Sequence, residues 1–225
     1  MEQSPFSERI ELMKAYPAQI AQALLDDSID IGLVPVAIMP HLKNPKMVSK
    51  YVIGTEGEVA SVALFSQVSM DQIDKVYLDY QSRTSVALAK ILFKQYWKKE
   101  VEFLTATEGY MDHINGNTAG IIIGDRALAC LDKFQHIYDL GSAWKAYSGL
   151  PFVFAAWVAN KTIPLEFMEA FDAANVYGLS HLDDVIALIP PSEQVYDLHK
   201  YYTENISYEL TPEKRAGLDK FLEAL

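Results

Sequence analysis

The sequence predicts an α/β fold. Three observations carry this: short β-branched runs alternate with stretches of helical periodicity, polar or glycine-containing turns separate them, and 50% of the 225 residues are hydrophobic. Residues 10–13 form a short apolar patch, read as a first strand. Pro17 then opens a segment whose Ile20, Ala23 and Leu24 share a helical face, and Asp26-Asp27-Ser28 ends it. The run Ile29-Asp30-Ile31-Gly32-Leu33-Val34-Pro35-Val36 reads as a buried parallel strand. Val52-Ile53 and residues 59–65 are extended in pattern, with Gly54 and Gly57 at turn positions. A short strand over 75–78 precedes a helix over 84–97, whose Val86, Ala89, Phe93 and Trp97 recur at helical spacing. Residues 101–104 and 119–123 are two further strands, with the turn Asn115-Gly116-Asn117 between them. Such alternation implies a parallel sheet with crossover helices. Residues 150–157 are strand-like, and everything after Leu165 is helical in pattern. Phe167, Phe171, Ala174 and Leu179 fit one apolar face, and Leu182, Val185, Ile186 and Ile189 fit a second, stopped by Pro190-Pro191. A third helix, 212–225, turns Leu218, Phe221 and Leu222 inward.

Composition narrows the function. Thirty acidic residues against 19 basic give a net charge of −11, which disfavours a nucleic-acid binder, since that needs a basic footprint. Cys130 is the single cysteine, so an intrachain disulfide and a cysteine-cluster metal site are excluded and a reducing cytoplasm fits best. The first residues show no basic start followed by an apolar run, so no signal peptide is read there. Asp30, Pro35, Pro40 and Pro151 break the longest apolar stretches, so no spanning helix and no membrane partner are expected. The five histidines show no metal-ligand spacing, no glycine-rich phosphate loop is present, and Trp97, Trp144 and Trp157 are assigned to the core. The length lies between one domain and two, which suits two small lobes.

Three motifs stand where chemistry would be expected. Leu78-Asp79-Tyr80-Gln81-Ser82-Arg83-Thr84-Ser85-Val86 joins the carboxyl end of a strand to the start of a helix, the place where α/β sheets bind ligands. Unpaired first-turn amides, the hydroxyls of Ser82, Thr84 and Ser85, and the charge of Arg83 suit a carboxylate or phosphate; the plainer alternative is a helix capped by Ser82 or Thr84. Ser61 is a small polar residue within an apolar run, and a buried serine of this kind ordinarily just bonds backbone. In Gly124-Asp125-Arg126 the acid either caps the next helix or faces a cleft, and Arg126 either meets an anion or is solvated.

At these residues the chain resembles the chorismate dehydratase family of menaquinone biosynthesis by the futalosine pathway. The resemblance rests on residues 29–36, on Gly57-Glu58-Val59-Ala60-Ser61-Val62 and on Tyr80-Gln81-Ser82-Arg83-Thr84-Ser85-Val86-Ala87-Leu88. Ile123-Gly124-Asp125-Arg126-Ala127 and Asp139-Leu140-Gly141 with residues 149–157 complete it, and all of them stand in order. It implies a two-lobed fold like the type II periplasmic solute-binding proteins, with the ligand in the cleft between lobes. Residues 1–65 plus 150–225 would form one lobe and 66–149 the other. It implies conversion of chorismate, a small dicarboxylate, to 3-[(1-carboxyvinyl)oxy]benzoate without metal or organic cofactor. Ser61 would be the catalytic-site residue, through orientation or hydrogen bonding, and Ser82, Arg83, Thr84, Ser85 and Asp125 would bind substrate. The alternatives are the sister enzyme that forms 1,4-dihydroxy-6-naphthoate and a non-catalytic small-carboxylate binding protein. Family members begin with a further strand and a turn, Ser-Tyr-Leu-Asn-x-x-Pro, whose Asn is assigned to catalysis. That motif is not found in this sequence. The expectation is a start internal to the gene, impaired activity, and open edges on the strands over 10–13 and 29–36.

Overall fold

The computed structural model describes residues 8–225. Pro17 occupies the first turn of α1 (Pro17–Leu25), where a missing N–H removes no helical bond, and Ala21 and Leu24 face inward. Asp27, at φ 57°, turns the chain toward β1 (Ile31–Pro35). A 3-10 segment, Val36–His41, leads to β2 (Lys46–Thr55). The chain then crosses to a second sheet through β3 (Val62–Ser66), β4 (Lys75–Leu78), α2 (Thr84–Gln95), β5 (Glu102–Thr105), β6 (Thr118–Ile123), α3 (Asp125–Leu128), β7 (His136–Asp139) and α4 (Leu140–Ser148). It returns as β8 (Phe152–Ala159), followed by α5 (Leu165–Leu179), α6 (Leu182–Ala187), α7 (Leu198–Lys200), a π-helical turn over Tyr201–Asn205, β9 (Ser207–Glu209) and α8 (Pro212–Glu223).

One sheet has four strands in the order β1-β8-β2-β9, and the other has five in the order β5-β4-β6-β3-β7. The expected parallel sheet exists only in part: β4 runs parallel to β5 and β6, whereas β3 is antiparallel to both β6 and β7. In the first sheet every pairing is antiparallel, β1 with β8 included. Strand direction there is set by where the chain leaves and re-enters the sheet, which an apolar run does not encode. β3, which closed the first lobe in the sequence reading, pairs inside the five-stranded sheet.

Two other expectations fail locally. Residues 10–13 form no strand, and Leu12 and Met13 are exposed; with no β-pairing, a short apolar patch has nothing to hold it extended in a sheet. The tail is not wholly helical, because Ser207–Glu209 pairs with β2 as β9. Among the described residues β1 is paired on one edge only, and a groove of about 850 Å3 lies along its other side, facing residues 9–15.

The main apolar core is continuous across both sheets, taking Val34, Val52 and Val153 from one and Leu64, Val76 and Ile121 from the other. Trp144 of α4 stacks edge-on against Phe152 of β8 at 5.3 Å, and Phe152 meets Phe221 of α8 at 5.0 Å. The indole N–H of Trp144 donates to the Pro151 carbonyl at 3.1 Å, so the ring is buried without an orphaned donor. Leu218 and Phe221 are buried as expected, while Leu222 is half-buried.

Candidate active site

The parallel pairing of β4 and β6 brings their carboxyl ends side by side, so the turn over 79–85 lies next to Gly124 and Asp125. β3 runs the other way, with Val62 opposite Ile123, which sets Ser61 beside the same corner. The Gly124 N–H donates to the Ser61 carbonyl at 2.7 Å. Three motifs far apart in sequence therefore meet at one end of the five-stranded sheet.

Ser61 is held there by a tight, strained turn. Ala60, immediately before it, has φ +60°, a conformation costing a non-glycine residue about 1–2 kcal/mol. The Asp139 carboxylate sustains it by accepting the Ala60 N–H at 2.8 Å and the Val59 N–H at 3.1 Å, while also capping α4 through the Ser142 N–H at 2.8 Å. Burial pushes the Asp139 carboxyl above the usual range, against the pull of these three amides. Ser61 is not the backbone-bonded core serine: its Oγ accepts a hydrogen bond from the Tyr201 hydroxyl at 2.9 Å.

The helix start behaves in part as an ordinary cap. Ser82 Oγ accepts the Ser85 N–H at 3.0 Å, and Thr84 Oγ1 accepts the Ala37 N–H at 3.3 Å, from the segment that follows β1. Thr84 thus fastens α2 to the other sheet. Arg83 is exposed, and its guanidinium makes no hydrogen bond or ion pair among the described residues. Asp125 is exposed and does not cap α3, whose N-cap is Gly124. Its charge is felt by Tyr202, whose hydroxyl is pushed up by burial and then by Asp125, and by Tyr201, whose hydroxyl is pushed up by burial, with the Ser61 bond opposing and Tyr202 and then Asp125 adding to the rise. Ser61, Thr84 and Ser85 are only 3, 2 and 3% exposed, so all three are covered.

The residue that departs most from a solvated surface side chain is Arg126. Its Nη2 donates to Asp79 Oδ2 at 2.8 Å and to Gln81 Oε1 at 3.0 Å, and its guanidinium lies 5.4 Å from the Tyr80 ring centre. Asp79 is wholly buried and also accepts the Tyr110 hydroxyl at 2.8 Å and the Gln81 N–H at 2.8 Å. Burial, then the Asp79 charge, pushes the Tyr110 hydroxyl well above the ordinary phenol value. The other nitrogens of Arg126 have no hydrogen bond among the described residues, and the side chain is 30% exposed. It is a fixed, partly accessible cation at the end of two parallel strands.

With this geometry in view, the comparisons with known proteins are direct. A family model described as menaquinone biosynthesis matches residues 2–225. The chain belongs to this family. A relative, the chorismate dehydratase of Thermus thermophilus, is 28% identical over 247 aligned residues, covering 97% of this chain and 88% of its own. Among solved structures, protein AF1704 from Archaeoglobus fulgidus superposes with a TM-score of 0.70 at 11% identity, over 95% of this chain and 84% of that one. The Candida albicans CA3427 gene product, described as having the generic periplasmic binding protein fold, gives 0.54 at 12% identity over 95% and 79%. The periplasmic aliphatic sulphonate binding protein SsuA from Escherichia coli gives 0.52 at 16% identity over 93% and 78%. The fold of this menaquinone-biosynthesis family member is the periplasmic-binding-protein-like α/β fold that the sequence led one to expect. No helix among the described residues is long and apolar enough to cross a membrane.

For this family member two groups at the site, Tyr201 and Tyr202, come from a segment whose sequence reads only as helical tail, and Asp79 stands inside the 78–86 motif with no role assigned to it there. A buried carboxylate beside a strand end, matched to an arginine next to a second strand end, was the available signal for the Asp79–Arg126 pair.

Proposed function

We propose that this chain is a chorismate dehydratase acting in the cytoplasm on the route to menaquinone. The observation that carries the reading is the match to the Thermus thermophilus chorismate dehydratase across 97% of the chain, with the five motifs in order. We take each sheet as the centre of one lobe, with the outgoing crossing between Thr55 and Val62 and the return between Ser148 and Phe152.

In the dehydration a ring C–H proton and the ring hydroxyl leave together as water, and the C–H electron pair completes an aromatic ring, so no electron acceptor is consumed. Holding the substrate and directing proton movement is then the main task of the protein. Chorismate carries two carboxylates, and a chain of charge −11 binds it only where local donors outweigh the overall field. Arg126, aimed by Asp79, and the exposed Arg83 supply that charge, with Ser82, Thr84, Ser85 and the α2 amides around them. Ser61 contacts the reacting part of the ligand by hydrogen bonding, and Asp125 lines the accessible side. Because Thr84 and Ser85 are covered, substrate entry requires the Thr84–Ala37 contact to part.

The test is incubation of the purified chain with chorismate, followed by chromatography for the carboxyvinyl benzoate. Product formed in proportion to enzyme supports the reading. Chorismate binding without product identifies a carboxylate-binding module, and turnover of the futalosine-derived substrate alone identifies the sister enzyme.

A further inference from the structure

We propose that Tyr201 is a positioning residue that fixes the Ser61 hydroxyl as a donor toward bound substrate. This rests on the reading above, in which Ser61 touches the ligand. The two oxygens lie 2.9 Å apart although 140 residues separate them in the chain. A serine hydroxyl has one proton and two lone pairs, so accepting a bond from Tyr201 leaves its own proton to be given elsewhere. A phenol is the better donor and poorer acceptor of the two, which sets the direction. Burial is the largest influence on the Tyr201 hydroxyl and pushes it above the ordinary phenol range, so it keeps its proton at neutral pH.

Both ends of the bond are fixed by their surroundings. Tyr201 opens a π-helical turn, closed by the Ile206 N–H donating to the Tyr201 carbonyl at 3.0 Å; such turns are rare and recur at functional sites. Buried Asn205, the last residue of that turn, donates through Nδ2 to the Glu58 carbonyl at 3.4 Å and accepts the Tyr196 hydroxyl at 3.2 Å. The turn is thereby pinned to the crossing that contains Ser61. On the other side, Asp139 locks strained Ala60. Two unusual backbone features facing each other across one hydroxyl pair are more than packing of the tail requires.

The experiment uses the full chain and chorismate turnover. Tyr201→Phe keeps the ring and removes the donor; kcat should fall about tenfold, with KM changed less than about twofold, consistent with loss of one hydrogen bond. In a Ser61→Ala background the same substitution should cause no further loss. Tyr177→Phe removes an exposed hydroxyl on α5 that bonds neither Ser61 nor the turn of Tyr201, and should leave kcat within about twofold. Unfolding midpoints in urea confirm that each variant is folded. Unchanged kcat in Tyr201→Phe, full additivity with Ser61→Ala, or an equal loss in Tyr177→Phe overturns the inference. Wild-type chain that binds chorismate but never turns it over defeats the functional reading instead, and the positioning role falls with it.

Discussion

Replacing Arg126 by alanine separates the anchoring and binding roles of one side chain. Removing one member of a wholly buried ion pair destabilises a protein by about 3–5 kcal/mol. Two features here reduce that figure: Arg126 is 30% exposed, and Asp79 keeps the Tyr110 hydroxyl and the Gln81 N–H, each at 2.8 Å. A loss of about 2 kcal/mol is therefore expected, and at a urea slope of about 2.5 kcal/mol/M the midpoint should drop by about 0.8 M. Binding should respond separately. A charge-assisted hydrogen bond to a carboxylate is worth about 1.5–3 kcal/mol, so chorismate affinity should weaken about 10- to 150-fold. Arg126→Lys keeps a positive charge without the fork that spans Asp79 and Gln81, and should fall between wild type and alanine in both measurements. Asp79→Asn leaves the guanidinium in place but removes the charge that aims it, so affinity should fall several-fold with Arg126 intact. Urea unfolding and calorimetric titration with chorismate read the two effects. A midpoint shift below about 0.2 M together with unchanged affinity in Arg126→Ala would refute the reasoning.

Four further outcomes are expected. Ser61→Ala should depress kcat more than affinity, whereas Arg83→Ala should weaken affinity with little change in kcat; steady-state kinetics of the two variants separate these roles. A Cβ added at Gly141 would lie 2.3 Å from the Gly57 carbonyl oxygen, so Gly141→Ala should destabilise by about 1–3 kcal/mol and disturb the crossing that carries Ser61, seen as a lower urea midpoint and lower turnover. Burial raises the hydroxyls of Tyr110, Tyr201 and Tyr208 above the ordinary value of 10.0, so above pH 10 the unfolded chain holds fewer protons than the folded one. Stability should consequently decline as pH climbs past 10, less steeply in Tyr110→Phe, as followed by circular dichroism.

The sequence was most informative where local pattern and tertiary role coincide. The run over 29–36 contains β1, the spacing of Val86, Ala89 and Phe93 marks α2, and Leu218 with Phe221 marks the inner face of α8. Strand direction was not legible, because β1 and β8 pair across more than a hundred residues and either orientation satisfies the same apolar pattern. Four-residue β7 and three-residue β9 carry too few residues for periodicity to emerge. At the site, Ser61, Ser82, Thr84 and Asp125 were visible as polar residues next to strand ends. Their partners were not: Tyr201 reaches Ser61 from 140 residues away, and Thr84 bonds the backbone of Ala37, which no side-chain motif announces. The role of Arg126 depends on Asp79, which stands in the 78–86 motif but meets the arginine only through the parallel pairing of β4 and β6.

The aromatic plug formed by Trp144, Phe152 and Phe221 has a bearing on how the molecule melts. Because it welds α4 to β8 and α8 inside a single continuous core, neither half retains a complete interior when cut away from the other. Heating should give one calorimetric peak rather than two, and a fragment ending near Ser148 should not fold by itself. The same plug ties the thermal endurance of one sheet to that of the other.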